Sequence, residues 1–203
     1  MKQEDVPSTI DLTRMSDAQE WERNAMQRPY RLDFFEAFFT ELCKVDCHSM
    51  NILELGSGPG FLAEYLLAKR SDITISLLDN SLAMHQLAKK RLNKYLDRVK
   101  FIECDFKQAK WNTGLGHFNA VITLQAVHEL RHKRYAVEFH KKVRELLDDN
   151  GVYLFCDHYF GYDAMKNNQL YMSNIEQYQS LEAAGFSFEE VLNKGGRALY
   201  NAS

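Results

Sequence analysis

The 203-residue sequence lacks any apolar run approaching the roughly 20 residues that cross a bilayer. Its first stretch, MKQEDVPSTIDLTRMSDAQEWER, lacks the basic start and apolar core of a signal peptide. Together these absences predict a cytosolic protein with no membrane partner. An excess of positive charge is also missing. The net charge is −3, so nothing draws the whole chain to nucleic acid, and a basic footprint would have to be local. The four cysteines form no disulfide framework. Cys43 and Cys47, with His48 beside them, resemble a metal half-site, but no second ligand pair follows at zinc spacing, and no metal is expected. Cys104 and Cys156 lie in apolar, strand-like runs, which predicts reduced and mostly buried thiols. Internal repeats and low-complexity tracts are absent too.

What is present is an ordinary globular composition, 45% hydrophobic and 26% charged, at a length that suits one substantial domain. Residues 1–28 are polar and weakly patterned, with Trp21 as their large anchor. From Pro29 onward, Phe35, Phe38, Phe39, Leu42 and Val45 recur at helical spacing. Strand and helix signals then alternate. NILELG, ITISLLD, VKFIECD, FNAVITLQ and VYLFCDH read as five apolar strands. Between them, FLAEYLLAKR, SLAMHQLAKKRLNKYL (N-capped by Ser81) and RYAVEFHKKVRELLDD read as helices, the last stopped by the Asn-Gly at 150–151. An irregular stretch, YFGYDAMKNNQLYM, precedes a sixth helix ending on Gly185, and two short strands joined by NKGG close the chain as a hairpin. Buried parallel strands with helical crossovers define a doubly wound α/β fold, with the terminal hairpin adding an antiparallel strand.

In such sheets ligands bind beyond the carboxyl ends of the strands, where strand order reverses. ELGSGPG, at the end of the first strand, should therefore line a ligand. Gly56, Gly58 and Gly60 allow a sharp turn and close backbone approach. The spacing is G-x-G-x-G, with Phe61 where a nicotinamide fingerprint has its third glycine, and no Gly-Lys-Ser/Thr follows as in a P-loop. Asp79 closes the second strand, where a carboxylate can accept hydrogen bonds from a ribose diol. Asp105 closes the third, and with Phe106 can meet an adenine amino group and its ring. Glu54, inside an apolar strand, must find a donor or a positive charge.

ILELGSGPGFLAEYLL, LLDNS, IECDF and FNAVITLQAVHEL, in this order and spacing, resemble the class I S-adenosylmethionine-dependent methyltransferases over residues 50–203. The resemblance implies a seven-stranded sheet carrying S-adenosylmethionine across its first strands, with S-adenosylhomocysteine as product. The N-terminal helical segment, residues 1–48, with its aromatics Trp21, Tyr30, Phe34 and Phe35, and the stretch HYFGYDAMKNNQLYM are candidate lids over the site; the resemblance makes residues 49–203 the cofactor-binding domain. It places Glu54, Gly56, Ser57, Gly58 and Gly60 at the methionine part and Asp79, with Asn80 beside it, at the ribose. Asp105 and Phe106 fall at the adenine, and Gln125 near the sulfonium and the acceptor. Two departures stand out: Glu54 is one methylene longer than the family's usual Asp, and Asn119 replaces an acid at the far end of the fourth strand.

Methyl transfer from a sulfonium needs alignment first, and a base only if the acceptor arrives protonated. His128, followed by Glu129, and the Asp157, His158 and Tyr159 run stand after the fourth and fifth strands, so His128 and His158 are the candidate catalytic residues. The Asn/Asp-Pro-Pro-Tyr/Phe motif of amino- and amide-nitrogen methyltransferases is absent. The basic stretch ELRHKRYAVEFHKKVREL reads as a solvated helix face rather than an RNA surface. A compact chain with short irregular connections points to a small-molecule acceptor. The alternatives are an RNA or protein methyltransferase and a non-catalytic protein that holds the cofactor.

Overall fold

The computed structural model describes residues 4–203. Seven strands form one sheet: β1 (Met50–Leu55), β2 (Ile73–Asp79), β3 (Val99–Glu103), β4 (Phe118–Leu124), β5 (Leu147–His158), β6 (Phe188–Lys194) and β7 (Arg197–Ala202). Their order is β3-β2-β1-β4-β5-β7-β6, parallel except for β7, which runs antiparallel to both β5 and β6. Strand order reverses at β1: the chain first builds outward through β2 and β3, then returns to place β4 and β5 on the other side. A crevice at the carboxyl ends of β1 and β4 follows from that reversal.

Six α-helices cover the sheet: α1 (Met15–Ala25), α2 (Arg31–Leu42), α3 (Phe61–Lys69), α4 (Leu82–Arg91), α5 (Ala136–Arg144) and α6 (Asn174–Ala183). The strands are apolar on both faces because both are buried. Phe34, Phe35 and Phe38 of α2 pack with Leu62 and Leu66 of α3 on one side. Phe139 and Val143 of α5 pack with Leu181 of α6 on the other. The helical phenylalanines are therefore core residues.

The described structure departs from the sequence expectations in four places. Helix α1 lies in the stretch that looked weakly patterned. Its inward face is Ala18, Trp21 and Ala25, and two of those three are too small to carry a strong periodic signal. Helix α4 stops at Arg91 rather than running to Leu96, because Leu92 turns inward against Gly60 and the chain tightens into a 3-10 turn at Leu96–Arg98. Helix α5 ends at Arg144, and the Leu146 carbonyl instead accepts from Phe118 N at 2.9 Å, which pulls residues 147–150 into the sheet. Cys156 is buried, but Cys104, just past the end of β3, is only half-buried, short of the burial expected of both thiols.

Local chemistry fixes the ends that matter. Ser81 caps α4 by accepting from Met84 N at 3.0 Å, directly after the strand-end Asp79. A capping box of Ser173 and Glu176 starts α6. Asn119 ties β1 to β4 by accepting from Asn51 N at 2.8 Å. No helix among the described residues is long and apolar enough to cross a membrane.

Candidate functional site

The crevice at the β1/β4 reversal opens into a cavity of about 1090 Å³. All the cofactor and catalytic residues expected from the sequence line it except Gly60, which packs behind the loop against Ala88 and Leu92.

One half of the cavity is shaped by backbone. Gly56 has φ +66°, and a Cβ there would stand 2.4 Å from that of Ala126, so only glycine fits. Gly58 has φ +54° and opens toward free space, so its amide can be approached closely. Asp79 accepts from Gly58 N at 2.8 Å and from Ser81 N at 2.9 Å, which locks loop, strand end and helix start together. Burial nonetheless raises its pKa, outweighing those amide hydrogen bonds.

Glu54 is 3% exposed, and its Oε2 is buried without a partner. Burial pushes its pKa up to about 8, opposed only in part by the nearby Arg31 charge. Ser57 Oγ is likewise buried and unpaired. An orphaned carboxylate and hydroxyl facing a glycine-lined cavity suit a ligand that brings an ammonium group and further polar atoms. The amino-acid end of S-adenosylmethionine has that chemistry, so the residues present fit the cofactor.

The other half is built from side chains. Arg31 Nη1 donates to Gln125 Oε1 at 3.1 Å, and Gln125 Nε2 lies 2.7 Å from His158 Nε2. The amide must donate to a neutral imidazole there. Burial, with the neighbouring charges of His128, Arg197 and Arg28, takes the His158 pKa down to about 3 despite Asp157, which keeps the ring neutral. Gln125 holds this relay with φ +59°, a left-handed backbone that a non-glycine residue rarely adopts.

His128 behaves differently. Its Nδ1 is 2.7 Å from Asp157 Oδ1, and its own backbone N donates to Asp157 Oδ2 at 2.8 Å. Asp157, 2% exposed, also accepts from His158 N at 2.7 Å. Burial alone would lower the His128 pKa, but the charge and hydrogen bond of Asp157, helped by Glu129, outweigh it and the net shift is upward. Asp157 mirrors this: burial raises its pKa, His128 lowers it more, and it stays ionised. Nε2 of His128 is left facing Glu129 Oε1 at 3.4 Å, with the ring of Tyr171 5.5 Å away, centroid to centroid.

Sequence reasoning named Asp157 among the residues after β5 but missed Arg28, Arg31, Arg197 and Tyr171. None lies at the end of a parallel strand, where ligand-binding residues are sought, and the only signal was the oddity of arginines beside an aromatic helix face. Residues 5–13 border the cavity, fastened where Val6 N donates to Arg131 O at 2.8 Å and Ser81 Oγ donates to Leu12 O at 2.5 Å.

Comparison with known proteins agrees with this geometry. Residues 52–151 match the family described as a methyltransferase domain. A carboxy-S-adenosyl-L-methionine synthase from Campylobacter concisus (strain 13826) is 28% identical over 154 residues, 75% of this chain and 62% of that protein. The fold is shared with an O-methyltransferase family protein from Burkholderia thailandensis (TM-score 0.73, 17% identity, 93% of this chain and 60% of that one). It is shared equally with an S-adenosylmethionine-dependent methyltransferase from Clostridium acetobutylicum ATCC 824 (TM-score 0.72, 12% identity, 92% and 96%). Residues 52–151 thus match a methyltransferase domain, and the fold is the one found in solved S-adenosylmethionine-dependent methyltransferases. It spans about three fifths of the length of the Campylobacter and Burkholderia relatives.

Proposed function

We propose that the protein transfers a methyl group from S-adenosylmethionine to a small-molecule acceptor whose attacking atom is deprotonated by His128. The observation that carries this reading is that the His128–Asp157 pair borders the same cavity as the glycine loop and Glu54. Bound there, the cofactor supplies an activated methyl group on a sulfonium. Glu54 receives the ammonium and becomes ionised, while Asp79 and Asp105 take the ribose and adenine ends, with Phe106 beside the ring. Arg31 and His158 fix the Gln125 amide at the β4 end, near the transfer point. Asp157 holds Nδ1 of His128 as the donor, which leaves the Nε2 lone pair to accept the acceptor's proton. Residues 5–13 act as a lid that excludes water from the adenosine half. The proximity of these groups, rather than covalent chemistry by the protein, lowers the barrier.

Calorimetric titration with S-adenosylhomocysteine, repeated on Asp79→Ala, tests the cofactor half. Binding by the unmodified protein that weakens by about 10- to 100-fold in the variant is the expected result, since a hydrogen bond to a charged group contributes about 1.5–3 kcal/mol. Screening hydroxylated and amine compounds with labelled donor then tests transfer.

A second reading has one observation in its favour. The Campylobacter relative is named for making a carboxylated form of the cofactor, and this cavity holds guanidinium groups suited to a carboxylate. Under that reading the cofactor itself leaves the enzyme heavier by carbon dioxide, which mass spectrometry of the small-molecule fraction detects, and no acceptor becomes methylated.

A further inference from the structure

Three arginines converge on the acceptor half of the cavity: Arg28, Arg31 and Arg197. Arg31 is 7% exposed and Arg197 4% exposed, while Arg28 is half-buried. Among the described residues none of the three is in an ion pair; the salt bridges near this region belong to other side chains, such as Lys194 with Asp33. Arg197 spends its donors on main chain, Nη2 to Pro29 O at 2.6 Å and Nε to Gly195 O at 3.3 Å. Arg31 Nε is buried with no partner at all. The Arg28 and Arg31 guanidiniums lie 5.0 and 5.6 Å from the Trp21 ring centre, and Arg197 lies 5.4 Å from that of Phe34, contacts that hold the groups in place without neutralising them.

Charges of like sign at such density destabilise one another. Burial and then the Arg28 charge bring the Arg31 pKa down to about 10, and Arg197 adds to it. Burial followed by Arg197 lowers that of Arg28. Of the carboxylates elsewhere on the cavity wall, Asp5 pairs with Arg134, Glu129 with Arg131 and Asp105 with Lys107, Asp79 and Asp11 accept from nearby amides, and Asp163 is in no ion pair with the three arginines among the described residues. Glu54 is the carboxyl nearest in influence to Arg31, and its raised pKa limits how far it can offset that guanidinium. The cofactor does not cure the imbalance. It brings one carboxylate but also an ammonium and a sulfonium, so even with Glu54 ionised its arrival adds no net negative charge for the arginines. A cluster held this way, with a buried unpaired donor, is a site waiting for an anion.

We propose that Arg28 and Arg197, with Arg31 behind them, anchor a carboxylate-type oxyanion on the acceptor molecule, so that the substrate is an organic acid presenting its nucleophile to His128. The proposal deepens the methyl-transfer reading above and rests on it. Guanidinium forks grip such a group bidentately and fix its orientation. Tyr171, standing 5.5 Å from the His128 ring and 6.3 Å from the His158 ring, closes the chamber opposite and sets the body of the acid toward the histidines. Specificity follows from charge: a neutral analogue of the same shape leaves three clustered cations, two of them buried, uncompensated.

The test uses benzoate as a carboxylate probe and benzamide as its neutral counterpart, each titrated calorimetrically into the protein saturated with S-adenosylhomocysteine. Saturable benzoate binding, at least about tenfold tighter than benzamide, is expected, and Arg28→Met should weaken benzoate by about tenfold or more while S-adenosylhomocysteine affinity stays within about twofold. Arg197→Lys keeps a charge against Pro29 O but loses the fork, and should also weaken benzoate. If Arg197→Lys fails to fold, Arg28→Met, on a half-buried side chain, decides alone. Equal binding of the two probes, no benzoate binding, or benzoate binding indifferent to Arg28 overturns the anchor while leaving the cofactor reading intact. Benzoate that binds only in the absence of S-adenosylhomocysteine also overturns it, because the arginines would then serve the cofactor's own carboxylate. Failure of the unmodified protein to bind S-adenosylhomocysteine at all sinks the underlying functional reading instead.

Discussion

The two halves of the cavity are built on different principles. The β1–β3 half is a backbone construction: Gly56 and Gly58 at positive φ, amides turned toward Asp79, and a helix start pinned by Ser81. The β4–β5 half is a side-chain construction in which Arg31, Gln125, His158, Asp157 and His128 are linked by hydrogen bonds. Backbone geometry depends on a few residues close together in sequence, so it survives wherever the cofactor is the same. A side-chain network drawn from α2, the two strand ends and the hairpin can be changed piecemeal, and that is the half we propose to choose the acceptor.

Breaking the side-chain half at its proton acceptor should give the largest effect. His128→Gln is expected to lower kcat for a hydroxyl acceptor by about 10²- to 10⁴-fold with S-adenosylhomocysteine affinity unchanged, measured by steady-state kinetics and calorimetry. The pH profile carries the same information. Under the proposed role the base form of His128 is the active one, and its pKa lies above the ordinary 6.5, so the rate should climb with pH through a point above that value. Asp157→Asn should move this point downward, because the charge that favours the imidazolium is gone.

The backbone half should break as structure rather than as rate. Gly56→Ala forces a Cβ against Ala126 and strains a left-handed residue, and is expected to cost about 2–4 kcal/mol in urea unfolding. The unchanged parent Gly58, with open space around it, gives the contrast: Gly58→Ala meets no side chain and should cost only the backbone strain, about 1 kcal/mol.

Glu54 sharpens the comparison, because it belongs to the backbone half yet titrates. Its carboxyl is protonated below about 8 in the free protein, and an ammonium ligand favours the ionised form. Binding therefore releases a proton, and affinity for S-adenosylhomocysteine should rise with pH up to that value, by at most about tenfold per pH unit. Glu54→Gln should flatten the slope; a slope that persists in the variant would assign the proton to another group. The smallest effect belongs to Ser81→Ala, about 1 kcal/mol of stability from the lost cap, read as a lowered melting temperature.

Much of the fold could be read from the sequence for a simple reason. Strands buried on both faces are runs of apolar residues, and ILEL, ITISLL and AVITL leave no other interpretation. The helix limits were harder, since α4 and α5 carry good helical residues to Leu96 and Asp149, and only the inward turn of Leu92 and the sheet hydrogen bond at Leu146 end them early. Helix α1 escaped notice because its buried face is mostly alanine. In the site, the glycines and strand-end carboxylates were legible because parallel sheets always present strand ends to the ligand. The arginines were not, since nothing in a linear sequence brings Arg28 and Arg31 beside Arg197.

The sequence by itself determined the sheet, its reversal point and the glycine loop that a cofactor approaches, because these depend on local patterns of apolar, small and turn-forming residues. Tertiary structure alone decided that Asp157 would hold His128 rather than water, that Gln125 would bridge Arg31 and His158, and that three arginines would share one chamber. Those pairings join residues far apart along the chain, and their energies come from burial and mutual charge, which exist only once the chain has closed around them.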